Sequence, residues 1–163
     1  MPKSPAEDRP QMSVFDRLLD DQPKNPREVP PNRFEAIRQY KAAVSRDLES
    51  LLNCRANPWE PGPEHPQLAA SSFTYGLPDF SDLSATAASH RLTLVKRIQR
   101  AIQQHETRLA NVSVDVPKDN DGHGKLQLRF VVAALLLMDP APEQVAFDTV
   151  LDLSRGEYQV KGD

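Results

Sequence analysis

The chain has one cysteine, Cys54, in 163 residues. No internal disulfide is possible, and a lone thiol fits a reducing compartment. It sits in LESLLNCR, at the end of a helical pattern, where a nucleophile is not expected. Aromatic residues make up only 6% of the chain, so any core must be mostly aliphatic. No run of apolar residues is long. The longest, residues 130–138, has nine, against the roughly 20 a membrane-spanning helix needs. The opening MPKSPAEDRP is polar and proline-rich and lacks the apolar stretch of a secretory signal. A cytoplasmic protein without direct membrane insertion is expected.

Basic excess is also missing. The net charge is −3 and the pI near 5.8, which argues against nucleic acid as a partner. Arg91, Arg97, Arg100 and Arg108 recur, but a solvated helix face explains them. There is no glycine-rich phosphate loop and no GxSxG. The histidines, at 65, 90, 105 and 123, lack metal-ligand spacing with Cys54. No cofactor and no metal are expected.

Proline, by contrast, is plentiful. Residues 1–31 hold seven of the 15 and many charges. Such a segment buries too little apolar surface to offset its ordering, and reads as an N-terminal arm. Within it MSVFDRLLDD, residues 12–21, places Val14, Phe15, Leu18 and Leu19 on one side of a helical turn or two. A peptide that short does not hold a helix alone in water, so it docks on its own domain or on a partner.

The remainder, residues 32–163, reads as one domain, a length that supports a real core. Asn32 and Glu35 have capping-box spacing, and a helix is predicted over 33–53. Its apolar face carries Phe34, Ile37, Val44, Leu48 and Leu51 with Tyr40 beside them. Residues 57–66, NPWEPGPEHP, form a stiff proline-rich loop, with Trp59 expected to plug onto the core or to anchor a partner. Gly76 and Pro78 mark turns, and Ser81, Asp82 or Ser84 can cap the next helix. That helix is predicted over 85–105, with Leu92, Val95, Ile98 and Ile102 inward. Arg91, Lys96, Arg97, Arg100, Gln103 and Gln104 are assigned to its solvent side.

Strand patterns then take over. Val112, Val114 and Val116 alternate with polar residues. Residues 117–124 are a polar turn, in which His123 is solvated. Leu126, Leu128 and Phe130 begin a strand that runs into the apolar stretch and is expected to end buried on both faces. Residues 145–153 and 158–160 give two more strands. The fold class is α+β: two amphipathic helices, then a three- to four-stranded mostly antiparallel sheet with the helices on one face.

At the junction, QQHETRLANVSVDV, Glu106 and Arg108 stand two apart. They do not meet on a helix but share a side in extended chain. One reading is a surface ion pair. A second is a docking site for opposite charges on a partner. A third makes Glu106 the general acid of a peptidoglycan hydrolase of muramidase type. That chemistry needs two carboxylates, one of them protonated, and a neighbouring arginine favours the charged form.

SVFDRLLDD, YGLPDFSDLS, HETRLANVSVDV and VAFDTVLDLSRGEYQV, in this order, resemble the TssE family, the baseplate subunits of type VI secretion systems. That family is similar to the contractile-phage baseplate wedge proteins long labelled lysozyme-like. The resemblance implies a structural protein, not an enzyme. Its hallmark is a Glu-Pro-Arg tripeptide before a strand. Glu106 and Arg108 match it, while Thr107 replaces the proline and removes a fixed φ. It implies docking through Glu106 and Arg108, with Leu109 beside them, onto wedge subunits of the TssF, TssG and TssK types. Sheath subunits of the TssB and TssC types would add strands to an open sheet edge and so be templated for polymerisation. MSVFDRLLDD becomes a docking arm through Phe15, Arg17, Leu18 and Leu19. Arg108→Ala is expected to spare folding and reduce sheath assembly. A generic cytosolic interaction domain is the bland alternative.

Overall fold

A computed structural model describes residues 10, 12–19, 24, 31–79, 88–117, 127–139 and 141–162. The first element is a short helix, α1, Val14–Leu18, with Ser13 as its N-cap. The second, α2, spans Arg33–Asn53, as predicted. Its capping box is complete: Glu35 N–H donates to Asn32 Oδ1 and Asn32 N–H to Glu35 Oε2, both at 2.9 Å. The inward face is Ala36, Tyr40, Ala43, Val44, Leu48, Leu51 and Leu52. Phe34, expected on that face, is 85% exposed, because it lies a half-turn before the buried row begins.

The proline-rich loop leads to a one-turn helix, α3, Pro66–Ala69, and a 3-10 turn, Ser72–Thr74. Of these residues only Pro66 falls within the proline-rich loop predicted over 57–66. Trp59 does not plug the core. It is half-exposed and meets the edge of Phe73 with ring centroids 5.7 Å apart. The loop is anchored instead by its own backbone: Ala56 N–H donates to Leu77 O at 2.9 Å and Leu77 N–H to Cys54 O at 2.8 Å. Gly76 makes this close approach possible with φ +110°.

Next comes α4, Ala88–His105. Its predicted start and the three candidate caps lie outside the described residues. The buried row is Leu94, Ile98, Ala101 and Ile102, with Val95 partly buried against the core. Leu92, expected inward, is 63% exposed; it stands about 240° round the helix from Ile98 at 100° per residue.

Four strands follow: β1 Leu109–Asp115, β2 Gln127–Leu136, β3 Glu143–Asp152 and β4 Glu157–Gly162. They form an antiparallel sheet in the order β1-β2-β3-β4. β3 begins two residues before its predicted start and stops one short of its predicted end, and β4 extends past both of its predicted ends, since ladder hydrogen bonds extend beyond the alternating pattern. Asp152 Oδ1 accepts Ser154 N–H at 2.9 Å and its hydroxyl at 2.6 Å, shaping the turn between them. Helix α2 packs against β4 and α4 against β1, both on one sheet face. Leu128, Phe130, Val132, Ala134 and Leu136 of β2 point into that layer. Val131, Ala133 and Leu135 on the other face stay half-buried, so β2 is not covered on both faces as expected. Two helices suffice for one face only.

β1 carries a bulge between Ala110 and Ser113. Asn111 takes φ 52°, a left-handed conformation asparagine tolerates. Helix α4 holds the bulge: Gln99 donates to Val112 O at 3.0 Å and Gln103 to the same oxygen at 3.4 Å. Gln104 reaches Ala69 O and Thr74. Gln103 and Gln104, assigned to solvent by periodicity, thus bond to backbone or loop.

Candidate partner-docking site

The site grows from the end of α4. Glu106 N–H closes the last helical bond, to Ile102 O at 2.9 Å, and Leu109 N–H donates to Glu106 O at 3.2 Å. This tight exit turns the carboxylate of Glu106 back towards Arg108. Arg108 N–H and Nε both donate to Glu106 Oε1, at 3.0 and 2.8 Å. Arg108 Nη2 pairs with the other oxygen. Glu106 is only 6% exposed, so the pair is not a surface ion pair. It is a buried carboxylate bound through both oxygens by one guanidinium, the geometry that gives such pairs their strength.

Arg108 is the hub of a larger network. Its Nη2 lies 2.7 Å from Asp47 Oδ2 on α2, and its Nη1 lies 3.9 Å from Asp16 Oδ2 on α1. Asp16 also takes Arg46 Nη2 at 2.6 Å and the Ser13 hydroxyl at 2.6 Å. Arg46 turns in addition to Asp47, at 2.9 Å. The Glu106 hydrogen bonds push the Arg108 guanidinium above its ordinary range against the opposing effect of burial, with Asp47 adding to them. Burial alone would raise the Asp16 carboxyl. The Ser13 hydroxyl and Arg46 outweigh it and hold the group below its usual value.

Asp16 is the residue that sequence reasoning missed. An aspartate in VFDRL looks like a polar residue facing solvent. It is in fact 9% exposed, while Val14, Phe15, Leu18 and Leu19 are 74%, 66%, 77% and 48% exposed. The arm docks by its charge and by Met12, which is partly buried against the core, and turns Val14, Phe15, Leu18 and Leu19 outward, the reverse of an ordinary amphipathic helix. Arg17 is exposed beside them. Thr107 is exposed, and Leu109 is buried in the core and presents no docking surface. The structure therefore brings Glu106, Arg108 and α1 together at one corner, with Asp47 and Arg46 completing it. The missed signal was spacing on α2: Arg46 and Asp47 adjoin the buried Leu48.

Among the described residues no cluster of histidine, cysteine and acidic side chains could hold a metal ion. No described helix is long and apolar enough to cross a membrane.

A family model described as baseplate wedge protein gp25 matches residues 38–141, more than half of the chain. The chain belongs to that baseplate wedge family, whose members are structural proteins of phage-baseplate type. No curated protein and no solved structure matches it.

Proposed function

We propose that the chain is a cytoplasmic baseplate subunit of a contractile type VI secretion apparatus. It would join wedge neighbours of the TssF, TssG and TssK types to the first sheath ring, of the TssB and TssC types, and template sheath polymerisation. The supporting observation is that the baseplate wedge match spans residues 38–141 and contains Glu106 and Arg108. The partner contact would use the network these residues organise: Arg46 and Asp47 at its exposed rim, and the outward apolar row of α1. Four large apolar side chains on one short segment form the kind of patch that marks a protein contact. The muramidase reading finds no support in the geometry, because both oxygens of Glu106 are bound by Arg108.

The test is a pull-down from cells of the source strain with tagged wild type and Glu106→Ala/Arg108→Ala, read by mass spectrometry beside a check of folding. Wedge and sheath subunits should accompany the wild type and fall away from a folded double variant. If no baseplate protein accompanies the wild type, only a generic interaction domain is left.

A further inference from the structure

Trp59 is the only tryptophan in the chain, and it is half-exposed. Tryptophan carries a large apolar payload, so a domain that leaves it open gives up stability there. The ring is nevertheless held in place. The Trp59 backbone N–H donates to Asn57 Oδ1 at 3.0 Å. Phe73 stands nearly perpendicular to the ring with centroids 5.7 Å apart, and His65 lies tilted at 6.4 Å. Pro58 and Pro61 flank it and fix φ on either side. The chain on both sides of the loop is tied together by the Ala56 and Leu77 hydrogen bonds, at 2.9 and 2.8 Å. An open aromatic ring on a loop that is already ordered loses little further entropy when a partner covers it. That combination suits a binding anchor.

The charge around the ring selects the partner. From residue 56 to residue 90 there is no lysine and no arginine, but there are four carboxylates. Asp79 is taken by Arg55 at 2.9 Å. Glu60 and Glu64 are exposed, and neither pairs with a cation among the described residues. The Glu64 carboxylate folds back over Gly62, so close that a Cβ there would strike both oxygens. Its charge therefore stays against the loop. Carboxylates repel phosphate and attract cations, and the face of an indole ring attracts cations as well. Among cations, guanidinium is weakly hydrated, stacks on aromatic faces and matches a carboxylate in shape. We propose that the loop of residues 57–66 docks an arginine of a partner protein, its guanidinium stacked on Trp59 in the field of Glu60 and Glu64. Electrostatic complementarity then chooses the partner, and the ring supplies the contact area. This surface shares no residue with the Glu106–Arg108 network, and its chemistry is independent of the type VI assignment.

Because no other tryptophan is present, the fluorescence of the full chain reports on this ring alone. Titration with a short Arg–Ser repeat peptide should shift or quench the emission, and added salt should weaken the response. The matching Glu–Ser peptide should leave it unchanged. Anisotropy of a dye-labelled Arg–Ser peptide reads the same binding when Trp59 itself is varied. Trp59→Leu keeps an apolar side chain and removes the aromatic face. Glu60→Gln/Glu64→Gln keeps the shape and removes the charge. Each should weaken binding by at least about threefold, with the circular dichroism of the domain unchanged. Asp139→Asn/Glu143→Gln removes two carboxylates beside the turn from β2 to β3 and should not weaken it. Equal responses to the two peptides, no response to either, indifference to either loop variant, or an equal loss from the distant pair would overturn the proposal.

Discussion

Asp16 and Arg46, thirty residues apart in the chain, meet at 2.6 Å and fasten the N-terminal helix to the domain. Five residues cannot hold a helix in water by themselves. The ion pair, with Ser13 as N-cap, supplies what the segment lacks, and it fixes which side of the helix faces out.

Asp16→Ala should therefore release α1 without unfolding the sheet. The local loss is about 1–2 kcal/mol, at the low end of what a charged hydrogen bond contributes because Arg46 is half-exposed. Limited proteolysis should cut near residues 12–19 faster in the variant, with an unchanged thermal midpoint for the domain. Cleavage at the wild-type rate would show that Asp16 does not hold the arm.

Acid should act in the same direction. The carboxyl of Asp16 lies below its ordinary value of 3.8 when folded. Its contribution is thus fully present above that value and is lost as pH falls through the lower, folded one. Protection of α1 against proteolysis or hydrogen exchange should hold at neutral pH and fade below about pH 4. Asp16→Asn should show little of that fading. An equal pH response in both proteins would assign the effect to another carboxylate.

The buried Glu106 changes what Arg108→Ala is expected to do. Sequence alone suggested that folding would survive it untouched. In the structure, Arg108→Ala takes both guanidinium donors from a carboxylate 6% exposed and leaves it only the backbone N–H of residue 108. An uncompensated buried charge costs about 3–5 kcal/mol. The corner is open at Asp47, so we expect about 2–4 kcal/mol by urea denaturation. Glu106→Gln/Arg108→Met, which removes both charges and keeps the volume, should lose less than Arg108→Ala. The opposite ranking would mean that Glu106 finds other partners readily.

Gly76 offers a test of the loop anchor. A Cβ there would meet the carbonyl oxygen of Cys54 and approach its carbon to 2.8 Å, and φ is +110°. Gly76→Ala combines a backbone clash with a disfavoured conformation, and should cost more than about 2 kcal/mol in chemical denaturation. A neutral result would show that the bridge between Arg55 and Leu77 is dispensable.

Much of the fold could be read from pattern. Asn32 and Glu35 announced α2 because a capping box is local chemistry. Val112, Val114, Phe147, Thr149 and Leu151 announced strands because a sheet with one covered face imposes a period of two. Leu92 and Phe34 misled because periodicity identifies a helix without saying which neighbour it packs on. The full edge of the sheet was also illegible. Asn53 Oδ1 accepts Tyr158 N–H at 2.8 Å, yet the two are 105 residues apart, and no spacing rule joins them.

The candidate site divides in the same way. Sequence by itself placed Glu106 and Arg108 at a helix–strand junction, but the extended chain expected to bring them together is in fact a turn, closed by Leu109 N–H to Glu106 O at 3.2 Å. Only the tertiary structure decided that the pair is buried and that Asp47 and Asp16 complete it. It likewise decided that the arm shows its apolar face to solvent. Those facts depend on three segments converging in space, where the cost of burying a charge is met by partners that lie far away along the chain.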